Sequence, residues 1–398
     1  MSAVTSAPRA NWDLELGAWQ LDALLAGVIA VLIGLGMILV TSASMSLADR
    51  DLGQPWFFAV RHAGAVGIGL GGGLLALLIP TQVWFRLSGA LLLLALLLLV
   101  LVLVPNVGHS VNGATRWLKV GLFTVQVSEL ARVCLIIYIA SYSVRHREAM
   151  TQSFWGLAKP MLAVTIIAGL LLLQPDFGAA VVIVCTALAL LFVGGARIRD
   201  FLALTVLAGA GLSLLAVTAP YRLKRLTGFL DPWADPYDSG FQLVQSLIAI
   251  GRGDWFGVGL GASVQKLFYL PEAHTDFVFA VLTEELGLLG ALCVVGAFLV
   301  LVWRALRTAK RANAAQLPFQ ANLATGIGVW LGLQAFINIG VNAGLLPTKG
   351  LTLPLLSYGR TSVVVTLACL GLLLRIHHEL VIAERSGRRR PARGRRRG

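Results

Sequence analysis

Long apolar runs separated by short polar stretches dominate the chain, beginning near Ala23, Phe57, Val83, Glu129, Leu157, Phe177, Phe201, Phe277, Asn322 and Ser357. Each approaches the roughly 20 residues that a helix needs to cross a bilayer. The pattern therefore predicts an all-α polytopic membrane protein of about ten transmembrane helices. Polar residues collect in three longer loops, Pro105 to Gln126, Pro220 to Thr275 and Val341 to Leu356. The largest, within residues 220–276, joins helices seven and eight. On this reading residues 1–20 form an N-terminal tail, 21–380 the membrane domain and 381–398 a basic C-terminal tail. Asp13, Glu15 and Asp22 precede the first run, where a cleavable signal peptide would have a basic start, so it reads as a retained helix.

Composition strengthens the membrane reading. Hydrophobic residues make up 57% of the chain and charged ones only 13%, against about 25% charged in soluble domains. Short loops rich in Lys and Arg stay in the cytoplasm. Arg145, Arg147 and Lys159 mark one such loop, Arg197 and Arg199 a second, and Arg304, Arg307, Lys310 and Arg311 a third. The tail from Arg375 onward marks the last. An even number of spans then puts both termini inside and all three longer loops outside the cytoplasm. The segment RSGRRRPARGRRRG, Arg385 to Gly398, has almost nothing apolar and is expected to be disordered. Beside a span, such a run answers to anionic membrane lipids rather than to nucleic acid.

Cys134, Cys185, Cys293 and Cys369 each lie in an apolar run without metal-ligand spacing and read as small core residues. Gly64, Gly67, Gly69, Gly71, Gly72 and Gly73 of the second span are expected to let helix backbones approach closely. Ionisable residues within spans are more informative, because a charge at membrane depth is normally paired, hydrated or functional. Arg61 and His62 stand in span two. Glu129 and Arg132, three residues apart in span four, share a helical face and can pair. The neighbours Glu284 and Glu285 point about 100° apart on a helix. One is expected to face a polar cavity and the other to find a bond or a headgroup.

The outer loops carry distinctive text: NGATRWLKVG from Asn112, QVSELAR from Gln126, QPDFG from Gln174 and GFLDPWADPYDSG from Gly228. FQLVQSLIAIGRGDWFGVGLGASVQKL follows from Phe241, YLPEAHTDFVFAVLTEELG from Tyr269 and LPTKGLTLPLLSYGR from Leu346. This ordered set, spanning Asn112 to Arg360, resembles the SEDS family of lipid-linked cell-wall polymerases. VQKLFYLPEAHTDF and LPTKGLTLP are closer to the family's division branch than to its elongation branch. Two departures stand out: Val127 where the family usually has proline, and Arg360 where a second glycine commonly follows Ser-Tyr-Gly.

The resemblance implies a peptidoglycan glycosyltransferase in the bacterial inner membrane, acting in septal wall synthesis. It would polymerise lipid II by an inverting transfer, with undecaprenyl diphosphate leaving. Such chemistry needs a base for the attacking hydroxyl and positive charge for the leaving group. Asp276 matches the family's functional aspartate and is the candidate base; its alternative is a helix N-cap. Arg61, Lys119, Arg132, Lys266 and Lys349 are candidate cations, with Glu129 and Asp176 holding them in place or binding a divalent ion. Oxygen ligands would suit magnesium or manganese, although no tight acidic cluster appears in the sequence. His274 would orient the loop or titrate near neutral pH, and Ser357 of Ser-Tyr-Gly completes the polar set. The implied partners are lipid II, a class B penicillin-binding transpeptidase of the FtsI type, and other divisome proteins. A lipid II flippase, a scaffold for division proteins or an elongation-branch polymerase are the alternatives.

The loop charges make a topological prediction: a membrane-impermeant reagent added outside should label positions 112–121 and 269–276, and spare 307–312 and the C-terminal tail. Labelling of the 307–312 loop would overturn the ten-helix count.

Overall fold

The computed structural model describes residues 19–111, 114–121, 123–218, 228–238 and 240–388. The N-terminal tail up to residue 18, positions 219–227 of the long loop and residues 389–398 of the basic tail lie outside the described residues, whereas residues 381–388, expected to begin that tail, continue the last helix. The long helices are α1 (Ala23–Leu52), α2 (Phe57–Leu78), α3 (Thr81–Leu103), α4 (Val127–Arg145), α6 (Phe154–Leu173), α7 (Phe177–Val193) and α8 (Ile198–Val217). They continue with α10 (Val278–Ala314), α11 (Pro318–Asn342) and α12 (Arg360–Arg388). Among the described residues nine are long and apolar enough to cross a membrane, and the shorter apolar α7 makes ten. Each begins within about one turn of the start expected from hydropathy.

Local chemistry sets several of these starts. Asp22 Oδ1 accepts from Leu25 N at 3.2 Å at the head of α1, and Asp176 Oδ1 from Ala179 N at 3.2 Å at the head of α7. Each satisfies an otherwise orphaned helix donor. Glycine packing is confined to one face of α2. A Cβ on Gly69 would meet Leu367 Cδ1 at 2.6 Å, and one on Gly73 would meet Leu367 O at 2.8 Å, so these two admit α12. Gly64, Gly67 and Gly71 face open space, contrary to the close-approach role expected of all six. The cysteines also divide: Cys369 is buried in the core, whereas Cys293 is exposed on the apolar exterior.

The loops hold structure that hydropathy does not predict. Strands β1 (Gly108–Val111), β2 (Ala114–Val120) and β3 (Phe123–Gln126) form a small antiparallel sheet leading directly into α4. A short α5 (Arg147–Gln152) precedes α6. In the long loop, α9 (Phe241–Gly253) buries Leu243, Val244 and Ala249 on one face. The residues between α9 and α10 do not simply cover the helix ends; part of them enters α10.

Helix α10 is broken at Gly287, whose φ of 67° and ψ of −168° leave helical space. Residues 254–259 fill the break. Val258 N and Gly259 N donate to the Glu284 and Glu285 carbonyls at 2.9 and 3.1 Å, while Leu288 N and Leu289 N donate to the Asp254 and Trp255 carbonyls at 2.8 and 3.2 Å. Four backbone groups freed by the break thus find partners, as low-dielectric surroundings demand. The acidic side chains beside it are buried and both partnered. Glu284 accepts from Ser263 Oγ at 2.5 Å and Val264 N at 3.1 Å. Glu285 pairs with Lys266 Nζ at 2.7 Å, and that ammonium also donates to Ser42 Oγ and the Gly261 carbonyl, each at 2.7 Å. The division expected between a cavity-facing and a bonded glutamate is therefore not found; both anchor the long loop.

Helices α1 and α10 are joined a second time at the far end, where Arg304 Nη2 approaches Asp22 Oδ2 at 2.5 Å. About 20 residues separate Asp22 from Ser42 and Glu285 from Arg304, or about 30 Å of helix, which matches the hydrocarbon thickness of a bilayer. The two ion pairs are thus spaced to lie at its two boundaries. The face beyond Glu285 carries the sheet and the long loop and is called the loop face below.

Gly287→Ala should be strongly destabilising. A Cβ there would lie 2.4 Å from Gly257 N, on a backbone with positive φ. Strain of about 1–3 kcal/mol, with the clash added, should lower the melting temperature by several degrees. Gly64→Ala, into open space, should leave it nearly unchanged. Equal melting temperatures for the two variants would refute the inserted segment.

Candidate functional site

On the loop face a cavity of ≈ 1480 Å³ opens between the sheet, the starts of α7 and α12, one stretch of α8 and the loops around residues 271–277 and 347–352. Its charged lining residues are Arg116, Asp176, Glu272, Asp276, Lys349 and Arg360. Three of the ten site residues expected from sequence, Asp176, Asp276 and Lys349, therefore meet in one place.

Asp276 is half-buried and stands just before α10. The N-cap of that helix is Phe277, with no side-chain cap bond, so Asp276 does not occupy the capping position. Its backbone is held from the neighbouring helix. Asn338 Nδ2 and Asn342 Nδ2 of α11 donate to the Asp276 carbonyl at 2.8 and 3.0 Å. Asn342 Oδ1 accepts from Ala280 N at 3.1 Å, and so serves as a cap supplied from another helix. Asn338 also donates to the Leu351 carbonyl at 2.6 Å, which ties the Asp276 loop to the segment carrying Lys349. Between them lies Gly350, where a Cβ would be 3.3 Å from Asp276 Oδ2. The missing side chain keeps this approach to the carboxylate open.

Three cations also line the cavity. Lys349 Nζ sits 4.0 Å from the centre of the Phe177 ring. Arg116 donates to the Gln174 and Pro175 carbonyls at 3.2 and 2.5 Å and lies 3.8 Å from Asp176 Oδ1. This arginine fixes the turn whose aspartate caps α7. Arg360 Nη2 donates to Thr124 Oγ1 at 2.5 Å, joining the head of α12 to β3. The departure from glycine at Arg360 thus falls on the first residue of a helix, where no positive φ is required. Val127 is likewise the first residue of α4, a position that proline or any other residue fills easily.

The remaining expected residues surround the cavity without lining it. Glu129 and Arg132 form the expected ion pair, 3.1 Å apart and buried behind the wall. Arg132 also donates to Gln334 Oε1 at 2.7 Å, and Gln334 Nε2 donates to the carbonyl of Thr352, a lining residue, at 2.9 Å. The pair therefore acts on the cavity through one amide. Lys266 is committed to Glu285. Ser357 Oγ accepts from Leu353 N at 2.8 Å and folds the last loop. The His274 carbonyl accepts from Tyr358 N at 2.9 Å, and its ring packs against Tyr358 and Phe58. Burial pushes the His274 imidazole below its ordinary pKa, against the pull of Glu272, which favours neutral packing over titration near pH 7. Lys119 is exposed on β2, and Arg61 is exposed one turn into α2, over the Phe57 ring at 4.0 Å.

Sequence reasoning missed Arg116, Arg360 and the amides Gln334, Asn338 and Asn342. The amides left a legible signal: they recur every fourth residue, on one face of the C-terminal half of a helix whose other residues there are apolar. Among the described residues no three His, Cys, Asp or Glu side chains gather as a metal-binding group. Asp176, Glu272 and Asp276 are the carboxylates that line the cavity, and one or two carboxylates with substrate phosphates are the usual donors to magnesium. What the cavity presents is a half-buried carboxylate in one space with the cations Arg116, Lys349 and Arg360. That arrangement suits taking a proton from a hydroxyl while an anionic group departs.

Residues 22–381 match the family model FTSW_RODA_SPOVE, described as a cell cycle protein. The chain is 54% identical over 364 residues to "Probable peptidoglycan glycosyltransferase FtsW" of Thioalkalivibrio sulfidiphilus, covering 92% of this chain and 91% of that one. It is 51% identical over 362 residues to the protein of the same name from Coxiella burnetii, covering 91% and 97%. Among solved structures it resembles a chain from "Structural coordination of polymerization and crosslinking by a peptidoglycan synthase complex", with TM-score 0.74, 31% identity and coverage of 91% and 98%. It also resembles the rod shape determining protein RodA of Thermus thermophilus, with TM-score 0.68, 30% identity and coverage of 93% and 99%.

Proposed function

The chain belongs to the FtsW, RodA and SpoVE family of cell cycle proteins and is a multi-pass membrane peptidoglycan glycosyltransferase, and on that premise we propose that it polymerises lipid II in the loop-face cavity, with Asp276 as general base. The observation that carries this reading is the half-buried Asp276 carboxylate in the same cavity as Lys349, Arg116 and Arg360. The 4-hydroxyl of one lipid-linked N-acetylglucosamine attacks the anomeric carbon of N-acetylmuramic acid on a second lipid II. Asp276 takes the hydroxyl proton, and undecaprenyl diphosphate leaves from the opposite side of the sugar. One displacement converts the α-linked donor into a β-linked strand.

Positive charge near the leaving diphosphate lowers the barrier only if it is in place before reaction. Lys349 is the cation closest in chain to the Asp276 contact at Gly350, and the first residues of α7 and α12 also line the cavity. Helix N-termini favour phosphate groups through their dipoles and free N–H groups. The Arg132 pair keeps its part as a positioning group through Gln334.

Height and orientation agree with this substrate. Asp276 precedes Glu285 in the chain on the loop-face side of the Lys266 pair, which supports a position beyond the apolar core, where a lipid's headgroup sugars lie. The Lys- and Arg-rich loops fall on the opposite face, which supports an extracytoplasmic loop face and cytoplasmic termini. Relatives bearing the name FtsW support the division branch and a septal location. A solved neighbour concerned with both polymerization and crosslinking supports a class B transpeptidase as partner.

The test is glycan synthesis from purified lipid II, with transpeptidase binding checked on the same preparation. Asp276→Asn should reduce synthesis by about 10²–10⁴, and Lys349→Ala should also cut it severely, both with membrane insertion and partner binding intact. Near-normal synthesis by Asp276→Asn would remove the proposed base, and near-normal synthesis by Lys349→Ala would remove that cation from the site.

A further inference from the structure

The segment that fills the break in α10 has a second side. Its backbone is bonded inward, yet Trp255, Phe256 and Leu260 are 58%, 79% and 58% exposed. From Trp255 to Ala262 the chain reads WFGVGLGA, without a charge. A water-facing loop would not be expected to present such a run.

Its level in the membrane is set by its bonds. Trp255 O accepts from Leu289 N, and Asp254 O from Leu288 N. Leu288, Leu289 and Leu292 are themselves exposed and begin the apolar exterior of the long half of α10. The Lys266–Glu285 pair, at the boundary of the apolar slab, lies beside the same break. The exposed aromatics are therefore continuous with a lipid-facing helix surface and sit where hydrocarbon meets headgroups. Tryptophan and other amphipathic rings favour that zone. Arg252, half-exposed and 3.7 Å from Glu284 Oε1, stands at the start of the segment, where anionic headgroups would meet it.

We propose that residues 254–260 are an interfacial anchor, in which Trp255, Phe256 and Leu260 seat in the loop-face leaflet at the headgroup boundary. The occupant is phospholipid. Because the segment is bonded into α10 between Glu284 and Leu289, the anchor holds the short first half of that helix, and with it the Asp276 loop, at a set height above the leaflet. Trp255 and Phe256 are thus positioning residues for a reaction whose substrates are themselves embedded in that leaflet.

Nitroxide labels at Trp255→Cys, Phe256→Cys and Leu260→Cys, in a chain whose four native cysteines are replaced by alanine, would measure the depth directly. The protein is reconstituted in phosphatidylethanolamine and phosphatidylglycerol vesicles, with Leu289→Cys as the lipid reference and Glu272→Cys as the aqueous reference. Labels on the segment should favour collision with oxygen over a water-soluble nickel chelate, as at Leu289. Behaviour like that of Glu272 would overturn the anchor, and so would chelate access that is lost only when the transpeptidase is added, since the surface would then be a protein-docking site. Trp255→Ser combined with Phe256→Ser should lower glycan synthesis in vesicles about fivefold or more without changing the melting temperature. Trp255→Tyr should retain it, and equal activity in all three proteins would also overturn the proposal.

Discussion

A helix that breaks at a bilayer boundary leaves backbone donors and acceptors that hydrocarbon cannot satisfy, and this constraint organises the loop side of the molecule. At Gly287 the chain meets it by lending backbone from residues 254–259, whose four hydrogen bonds close the gap in α10. The buried Glu284 and Glu285 side chains then hold the following turn and Lys266. Asp276 lies between Lys266 and Glu285 in the chain, so both approaches to its loop are fixed to one helix.

The second fixation comes from α11. Asn338 and Asn342 both donate to the Asp276 main-chain carbonyl, so the residue is held by its backbone at the cavity lining. Buried amides are expensive unless every bond is made, and here one asparagine joins two loops while the other caps a neighbouring helix. A carboxylic acid held by its backbone keeps its position whether or not it carries a proton. That is the property a group cycling between two protonation states requires.

Charge is distributed by the same logic. Arg132 is buried and paired with Glu129, and it reaches the cavity wall only through Gln334, so its role is to hold Thr352 in place. Arg116 and Arg360 spend donors on the turn before α7 and on β3, which fixes their positions at the cavity edge. Positive charge arranged in this way needs little reorganisation when a diphosphate departs.

The ten helices, and the loops that carry the chemistry, were legible in hydropathy because lipid demands long uncharged runs whatever the tertiary contacts. Asp276, Asp176 and Lys349 were legible through the motifs around them, and the Glu129–Arg132 pair through helical spacing. What separation along the chain could not convey was which polar residues share a space. Lys266, Ser357 and His274 lie in or beside the same motifs, yet their side chains brace the loops: Lys266 pairs with Glu285 of α10, Ser357 bonds Leu353 within its own loop, and the His274 ring packs on Tyr358. Arg116 drew no notice and Arg360 stood out only as a departure from glycine, since a cation in a loop reads as solvated until a sheet and two helix ends close around it. The inserted segment was hidden for a similar reason: its hydrogen bonds join residues about 30 positions apart, and only the broken helix that receives them reveals why an apolar, glycine-rich stretch stands in an outer loop.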